Sequence, residues 1–297
     1  MANDNLQSHC GFITIIGRPN VGKSTLMNHL IGQKLSITSR KPQTTRHKVN
    51  GILTIDDYQY VFVDTPGFQR QYESKINTLL NQSVINSLKG IDVILLVVEA
   101  GVFNAGDELV LSLLPKSAHV ILVINKQDQL KDKMVLNKFI KEIRQKYKFA
   151  AAIPVSAKHH LGIDDLLAAT KPYMPEGPFL YDAEQLTDRS NRFLASEIIR
   201  EKLFRYLGEE LPYSLTVEID EFVEDSKLYK ISATVIVDKD NQKGIVIGKS
   251  GEKLKKVSTE ARLDMEKLFE HKVFLQVWVK VRGGFADSLK FLKQFES

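Results

Sequence analysis

Between Gly17 and Ser24 the chain reads GRPNVGKS, with two glycines, a lysine and a serine at G-x-x-x-x-G-K-S spacing. Glycines at that spacing let the backbone turn tightly and aim successive N–H groups at phosphate oxygens. Gly17, Arg18, Pro19, Asn20, Val21 and Gly22 would wrap the phosphates. Lys23 would reach the β- and γ-phosphates, Ser24 would ligate Mg²⁺, and Thr25 would follow in the same cradle. A second segment, VFVDTPG, ends an apolar run with Asp64, whose carboxylate suits a Mg²⁺-bound water. Thr65 and Pro66 shape that turn, Gly67 can offer its N–H to a γ-phosphate, and Phe68 follows. A third segment, NKQD, closes another apolar run. The carboxylate of Asp128 can accept from N1–H and the 2-amino group of guanine, whereas adenine has neither donor. Asn125 would tie that loop together and Lys126 would lie along the base. Ser156, Ala157 and Lys158 end the next run, and the Ala157 N–H could meet guanine O6. Four pieces in order, each at a strand end, favour guanine over adenine.

These residues need a frame. Residues 13–16 read as a buried strand, and 51–55 and 59–63 look like strands; DVILLVVEA, HVILVINK and AAIPVSA are unbroken β-branched runs, as strands covered on both faces are. Helical patterns fall at 24–31, 74–88, 106–114, 133–147 and 163–169. Strand and helix alternate, which predicts an α/β domain with a mostly parallel sheet, over residues 11–171. Residues 1–10 carry no periodic pattern and are expected to be a flexible N-terminus, with Cys10, the single cysteine, a bystander. That cysteine count excludes an internal disulfide and a four-cysteine zinc site. No run is long enough to span a membrane, and the first ten residues lack the apolar core of an export signal. Residues 172–188 hold three prolines and a glycine within eight positions and read as a linker.

Beyond them, residues 189–297 follow another order: a helix ending near Gly208, two strands, a long helix, a third strand and a short last helix at 287–295. This predicts a smaller α+β domain. Net charge is only +5, but 238–256 carries six lysines against three acids. Inside that stretch Gly248-Lys249-Ser250-Gly251 precedes the long helix. Its two glycines allow close approach of a nucleotide backbone, and lysines meet phosphates. In this order of elements, G-x-x-G reads as a KH module, with Gly248, Lys249, Ser250, Gly251, Lys253 and Lys256 as its RNA-binding residues, and Lys255 beside them. Leu254, Val257, Ala261, Met265 and Leu268 form a core stripe on the long helix. Trp278, opposite the alternating Val273, Leu275, Val277 and Val279, is open to either packing or RNA.

The motifs GRPNVGKSTLMN, SRKPQTTRH, DTPGF, NKQD and SAK, with PEGPF, QLTDRSNRFLASEIIREKL and GEELPYS, resemble those of the Era family of bacterial GTPases over about residues 11–295. The resemblance implies a translation-factor-related GTPase domain followed by a type II KH domain. It implies binding and slow hydrolysis of GTP to GDP, with Mg²⁺ held by Ser24, Thr45 and Asp64. It also implies binding to the 3′ region of 16S ribosomal RNA during maturation of the 30S subunit. Thr44 and Thr45 both qualify chemically for the metal; the family pattern aligns Thr45. Phe68 stands where Ras-like enzymes place a water-orienting glutamine. Relatives with this replacement use a monovalent cation, so K⁺ is implied, with Asn20 and carbonyls of 36–40 as its ligands. Lys23, Thr45, Gly67 and Asn20 are thus the residues expected to carry hydrolysis. The chain departs from the family at 282–288, RGGFADS, where Phe285 can stand in for a tryptophan. The resemblance further implies a monomer in the cytoplasm with possible peripheral contact at the inner membrane. A membrane-associated cell-cycle GTPase, with RNA secondary, is the alternative reading. A degenerate nucleotide domain is excluded by the presence of Lys23, Ser24, Asp64, Asn125 and Asp128.

Overall fold

The computed structural model describes residues 8–39, 41, 44–69, 75–130, 132–208 and 215–284. The expected last helix at 287–295, Phe285 and Arg40 lie outside the described residues. The described chain falls into two compact units, 8–36 with 45–188 and 37–44 with 189–284.

The first unit is built on a six-stranded sheet. Its strands are β1 (His9–Ile16), β2 (Val49–Ile55), β3 (Tyr58–Asp64), β4 (Val93–Glu99), β5 (His119–Asn125) and β6 (Ala151–Pro154), in the order β2-β3-β1-β4-β5-β6. β2 pairs antiparallel with β3, and every other pairing is parallel. Val93 to Val98 are all buried, as an unbroken apolar run requires when helices cover both faces. The helices are α1 (Lys23–Ile31), α2 (Lys75–Asn86), α3 (Ala105–Leu111), α4 (Lys133–Arg144) and α5 (Ile163–Thr170). β1 lies between β3 and β4, so its two neighbours follow it in the chain from opposite sides. The crevice above such a reversal is where open α/β sheets bind ligands.

One expectation is corrected at the N-terminus. The first strand starts at His9, inside the stretch read as flexible. His9 N donates to Asp57 O (2.8 Å), and Cys10 stands opposite Gln59 in register. Pattern alone could not show this, because the pairing partner lies some fifty residues away. Burial raises the Cys10 thiol above its ordinary pKa. Residues 175–188 are laid along this unit by hydrogen bonds. Gln59, fully buried, accepts from Leu180 N and Tyr181 N (2.8 and 3.0 Å). Ile52 N donates to Leu186 O (2.8 Å), on the otherwise open edge of β2.

The second unit has α6 (Asn191–Tyr206), β7 (Leu215–Val223), β8 (Tyr229–Val237), α7 (Asp240–Ile247), α8 (Glu252–Phe269) and β9 (Val273–Val281). The sheet order is β7-β8-β9, antiparallel and then parallel. Ser190 caps α6 by accepting from Phe193 N (3.3 Å). Ile198, Ile199 and Leu203 of α6 pack with Val257, Ala261 and Met265 of α8 over Ile231, Ala233 and Val235 of β8. The predicted stripe on α8 is therefore core. Trp278 lies on the other face of β9 and is 57% exposed, so it is not packed in the core. The short helix α7 has no counterpart in the sequence reading. Its residues, DNQKGIVI, combine a glycine with β-branched side chains and carry no helical period.

Candidate nucleotide site

The loops after β1, β3, β5 and β6 all leave the same edge of the first sheet, and they carry the four predicted segments. The first runs from Gly17 to Gly22 and feeds α1. Gly22 (φ 100°) is constrained twice, since a Cβ there would also come within 2.3 Å of the Asn125 amide nitrogen. Asn20 is exposed at the loop's outer bend with φ 65°, a left-handed conformation that asparagine tolerates better than most residues. Lys23 is buried, and its ammonium donates to Gly17 O and Arg18 O (both 3.1 Å).

Burial lowers the Lys23 pKa from its ordinary 10.5 to about 8, against the pull of Asp64. An unfolded chain keeps this proton up to its ordinary pKa. The nucleotide-free fold therefore gains stability from this group as pH rises from about 8 toward 10.5. A bound polyphosphate would restore the charged form. Nucleotide binding should then take up a proton at Lys23 at about pH 9 and none at about pH 6. Titration calorimetry in two buffers of different ionisation enthalpy measures this uptake. Equal uptake at both pH values would contradict the assignment.

Asp64 is fully buried, and no hydrogen bond of ordinary geometry reaches either carboxylate oxygen. Burial raises its pKa, while the nearby Ser24 hydroxyl and the Lys23 charge oppose the rise. A buried, unsatisfied carboxylate beside hydroxyl groups suits a hard cation. Ser24 Oγ lies 2.9 Å from Thr45 Oγ1. Thr44, by contrast, has its hydroxyl bonded to Ser39 Oγ and Lys41 O (2.7 and 2.6 Å), and its carbonyl accepts from Arg200 (2.7 Å). The geometry thus brings Thr45 to Ser24 and directs Thr44 elsewhere. Ser24, Thr45 and Asp64 fit Mg²⁺.

Gly67 sits against the phosphate loop, where a Cβ would fall 2.8 Å from the Pro19 backbone. Thr65 donates to Ile15 O (2.8 Å), and Thr65 and Pro66 are buried. Phe68 is 3% exposed and packs into the core with Ile16, Val84 and Leu96. Gln69 turns toward α2: its side-chain amide donates to Asn77 Oδ1 (3.3 Å) and its backbone N–H to Asn81 Oδ1 (3.2 Å). Phe68 has no group to orient water, and the Gln69 amide nitrogen is engaged by Asn77.

Asn125 is buried and ties three segments together. Its amide nitrogen donates to Val21 O (2.8 Å), and its oxygen accepts from Lys126 N (2.8 Å) and Ala157 N (3.0 Å). The Ala157 N–H, expected to meet guanine O6, donates to Asn125 Oδ1 in this structure. Asp128 Oδ1 accepts from Ser156 Oγ at 2.5 Å. That hydrogen bond, aided by His159 and Lys158, holds the Asp128 carboxyl below its usual pKa. An ionised acceptor thus stands ready for two donors. Lys158 is exposed beside it. The Arg18 guanidinium, for its part, pairs with Glu99 and Asp107 (3.2 and 3.0 Å). Sequence reading missed both carboxylates. Glu99 ends an apolar strand as Asp64 does, and that shared placement was the available signal.

In the second unit Gly248 closes α7 by donating to Gly244 O (2.9 Å), and Gly251 (φ 79°) starts α8. Lys249 and Ser250 are exposed between them, as are Lys255 and Lys256 on the first turns of α8, with Lys253 half-buried. The ammonium of Lys256 lies over the Tyr206 ring, 4.6 Å from its centre.

A phosphate loop, an Asp-Thr-Pro-Gly turn and an Asn-Lys-x-Asp loop on one sheet edge, ahead of a small α+β unit with G-x-x-G, define a P-loop GTPase joined to a KH domain. A family profile described as 50S ribosome-binding GTPase matches residues 12–126, and a KH-domain profile matches 210–284. GTPase Era of Chromobacterium violaceum is 58% identical over 287 residues, covering 97% of each chain. GTPase Era of Neisseria meningitidis serogroup B is 58% identical, covering 96% of this chain and 94% of its own. Among solved structures, a variant of Aquifex aeolicus Era bound to GDP and AlF4⁻ superposes with a TM-score of 0.91 at 34% identity. An Era complex with MgGDPNP and nucleotides 1506–1542 of 16S ribosomal RNA superposes equally well at 35% identity. Both comparisons cover 97% of this chain and 98% of the other. The chain belongs to the Era family of GTPases.

Proposed function

We propose that this GTPase binds GTP and GDP with Mg²⁺ through residues 17–25, 45, 64–68, 125–128 and 156–158. We further propose that it binds the 3′ region of 16S ribosomal RNA through 248–256, in maturation of the 30S subunit. The observation that carries the proposal is that one chain holds both sets of residues. Four loops converge at one sheet edge, and an exposed Gly248–Gly251 turn opens α8. The likeness to an Era complex holding both a GTP analogue and ribosomal RNA supports reading the two sites together. Residues 11–171 serve the nucleotide, 189–297 the RNA, and 172–188 join them.

Lys23 balances charge on the β- and γ-phosphates during in-line attack by water, and the Gly67 N–H meets the γ-phosphate. Ser24, Thr45 and Asp64 would hold Mg²⁺, which would add further neutralisation. With Phe68 in the core and the Gln69 amide bonded to Asn77 of α2, neither of these side chains polarises the water, so basal turnover is slow. K⁺ near Asn20 is part of this proposal. Replacing Na⁺ by K⁺ at matched ionic strength raises kcat, and Asn20→Ala removes the response in single-turnover assays. Equal rates in both salts, with Asn20→Ala behaving as wild type, would remove the cation.

The decisive experiment for the RNA partner is crosslinking of the GTP-loaded protein to total cellular RNA, with the contacted nucleotides mapped. Crosslinks clustered near the 3′ end of 16S RNA are expected, and crosslinks dispersed over unrelated RNAs would overturn the reading. A monomeric state and a peripheral contact with the inner membrane complete the proposal. Light scattering tests the first and fractionation at raised salt the second. Among the described residues no helix is long and apolar enough to cross a membrane.

A further inference from the structure

Glu99 ends β4, directly opposite Asn125 in register. It belongs to none of the four nucleotide segments. One of its oxygens, Oε2, accepts from two cations that come from different loops. Lys126 Nζ lies 2.8 Å away and Arg18 Nη2 3.2 Å away. Lys126 belongs to the loop assigned to the base, and Arg18 to the loop assigned to the phosphates. The Arg18 carbonyl in turn accepts from Lys23 Nζ (3.1 Å). A continuous chain of polar contacts therefore runs from Lys23 through Arg18 and Glu99 to Lys126.

The second arm of Arg18 is equally fixed. Its Nε donates to Asp107 Oδ2 (3.0 Å), and the same oxygen accepts from Asn104 N (3.0 Å) at the start of α3. Asp107 is 1% exposed. The Arg18 guanidinium is thus held in a fork of two carboxylates anchored on β4 and α3. The Glu99, Arg18 and Lys126 side chains are 21%, 17% and 28% exposed. Pairs at that depth are screened less than surface pairs and lose more when one partner is removed. Burial alone would raise the Glu99 pKa, but Lys126 and Arg18 outweigh it and hold the carboxyl below its usual range. Glu99 is therefore ionised at neutral pH. Lys126 itself has φ 63°, a backbone conformation a lysine rarely adopts.

We propose that Glu99 is a positioning residue for guanine-nucleotide binding, joining the base loop to the phosphate loop through Lys126 and Arg18. It touches neither the base nor the phosphates. By fixing one cation from each loop on a single oxygen, it makes the grip on one end of the nucleotide depend on the grip on the other. Asn125, through Val21, is a separate tie between the same loops. This inference rests on the assignment of residues 125–128 to guanine, which the Asp128→Asn base switch tests independently.

The test is the dissociation rate of a fluorescent GDP and a fluorescent GTP analogue, with Mg²⁺, from the full-length protein. Glu99→Gln keeps the shape and removes the charge. It should speed dissociation of both nucleotides by the same factor, about tenfold, since it lies on a chain common to both. In a Lys126→Met background the factor should fall, and in an Arg18→Met, Lys126→Met background it should vanish, because nothing then remains for Glu99 to position. The same factor in the doubly substituted background would make Glu99 a purely structural residue and overturn the proposal. Unchanged dissociation from Glu99→Gln would overturn it too. If Asp128→Asn fails to switch base preference, the base assignment fails. If the switch occurs but Glu99→Gln is silent, this inference alone fails.

Discussion

Asp128→Asn is expected to weaken GTP binding by about a thousandfold and to give the protein a preference for xanthosine triphosphate. Wild-type Asp128 is an ionised acceptor, held by Ser156 Oγ at 2.5 Å with its pKa lowered. Guanine presents two donors to it, N1–H and the 2-amino group. An asparagine can accept at only one of its two terminal atoms, so one donor meets a donor and both lose a partner. Xanthine carries an oxygen in place of the 2-amino group, and the asparagine nitrogen can donate to it. Leaving a buried polar group unpaired costs more than a typical hydrogen bond contributes. The Ser156 hydroxyl can bond either side chain, so the loop itself should persist. Competition binding with GTP and xanthosine triphosphate on both proteins reads the outcome. A variant that still prefers GTP by the wild-type margin would show that 125–128 does not contact the base.

Which parts of this molecule were legible in its sequence follows from how local the cause was. The strand before Gly17, the glycines and Lys23 were readable because a phosphate loop needs them within eight residues. The strand at 93–99 was readable because burial on both faces leaves an unbroken apolar run. Phe68 was readable as lacking proton chemistry, and the structure adds its place in the core with Val84 and Leu96. The failures have distant causes. The start of β1 at His9 depends on Asp57 and Gln59. α7 forms between β8 and the Gly248 turn although its own residues carry no helical period. Spacing places Arg18 in the phosphate loop but does not aim its side chain. Its direction is set by Glu99 and Asp107, some eighty and ninety residues further on. Thr45 and Thr44 were chemically equivalent in sequence. They differ only because Ser24 faces one hydroxyl while Ser39 and the Lys41 carbonyl engage the other.

Changing Gly248 and Gly251 together to aspartate is expected to cut RNA affinity by about a hundredfold or more while leaving GTP binding intact. Two effects act at once. Negative charge is placed where phosphates must pass, and side chains fill a path that only glycine leaves open. Both glycines have positive φ, at 74° and 79°, and a Cβ on Gly248 would fall 2.6 Å from Lys253 Cβ. The double change therefore also strains the turn between α7 and α8, and loss of RNA binding by this variant alone could reflect a damaged turn. Lys249→Asp with Ser250→Asp separates the two causes. Both positions are exposed, and Ser250, at φ 50°, already holds a conformation that aspartate tolerates. Charge reversal there should reproduce most of the loss without a fall in melting temperature. Lys23→Ala is the converse variant: it should abolish nucleotide binding, and RNA affinity should then match that of the nucleotide-free wild type. RNA binding is measured on the full-length protein with a GTP analogue, with GDP and with neither, using an RNA matching the 3′ end of 16S. RNA affinity retained in both charge-altered variants would remove the turn from the RNA site. Equal wild-type affinity in all three nucleotide conditions would leave two working sites with no communication between them.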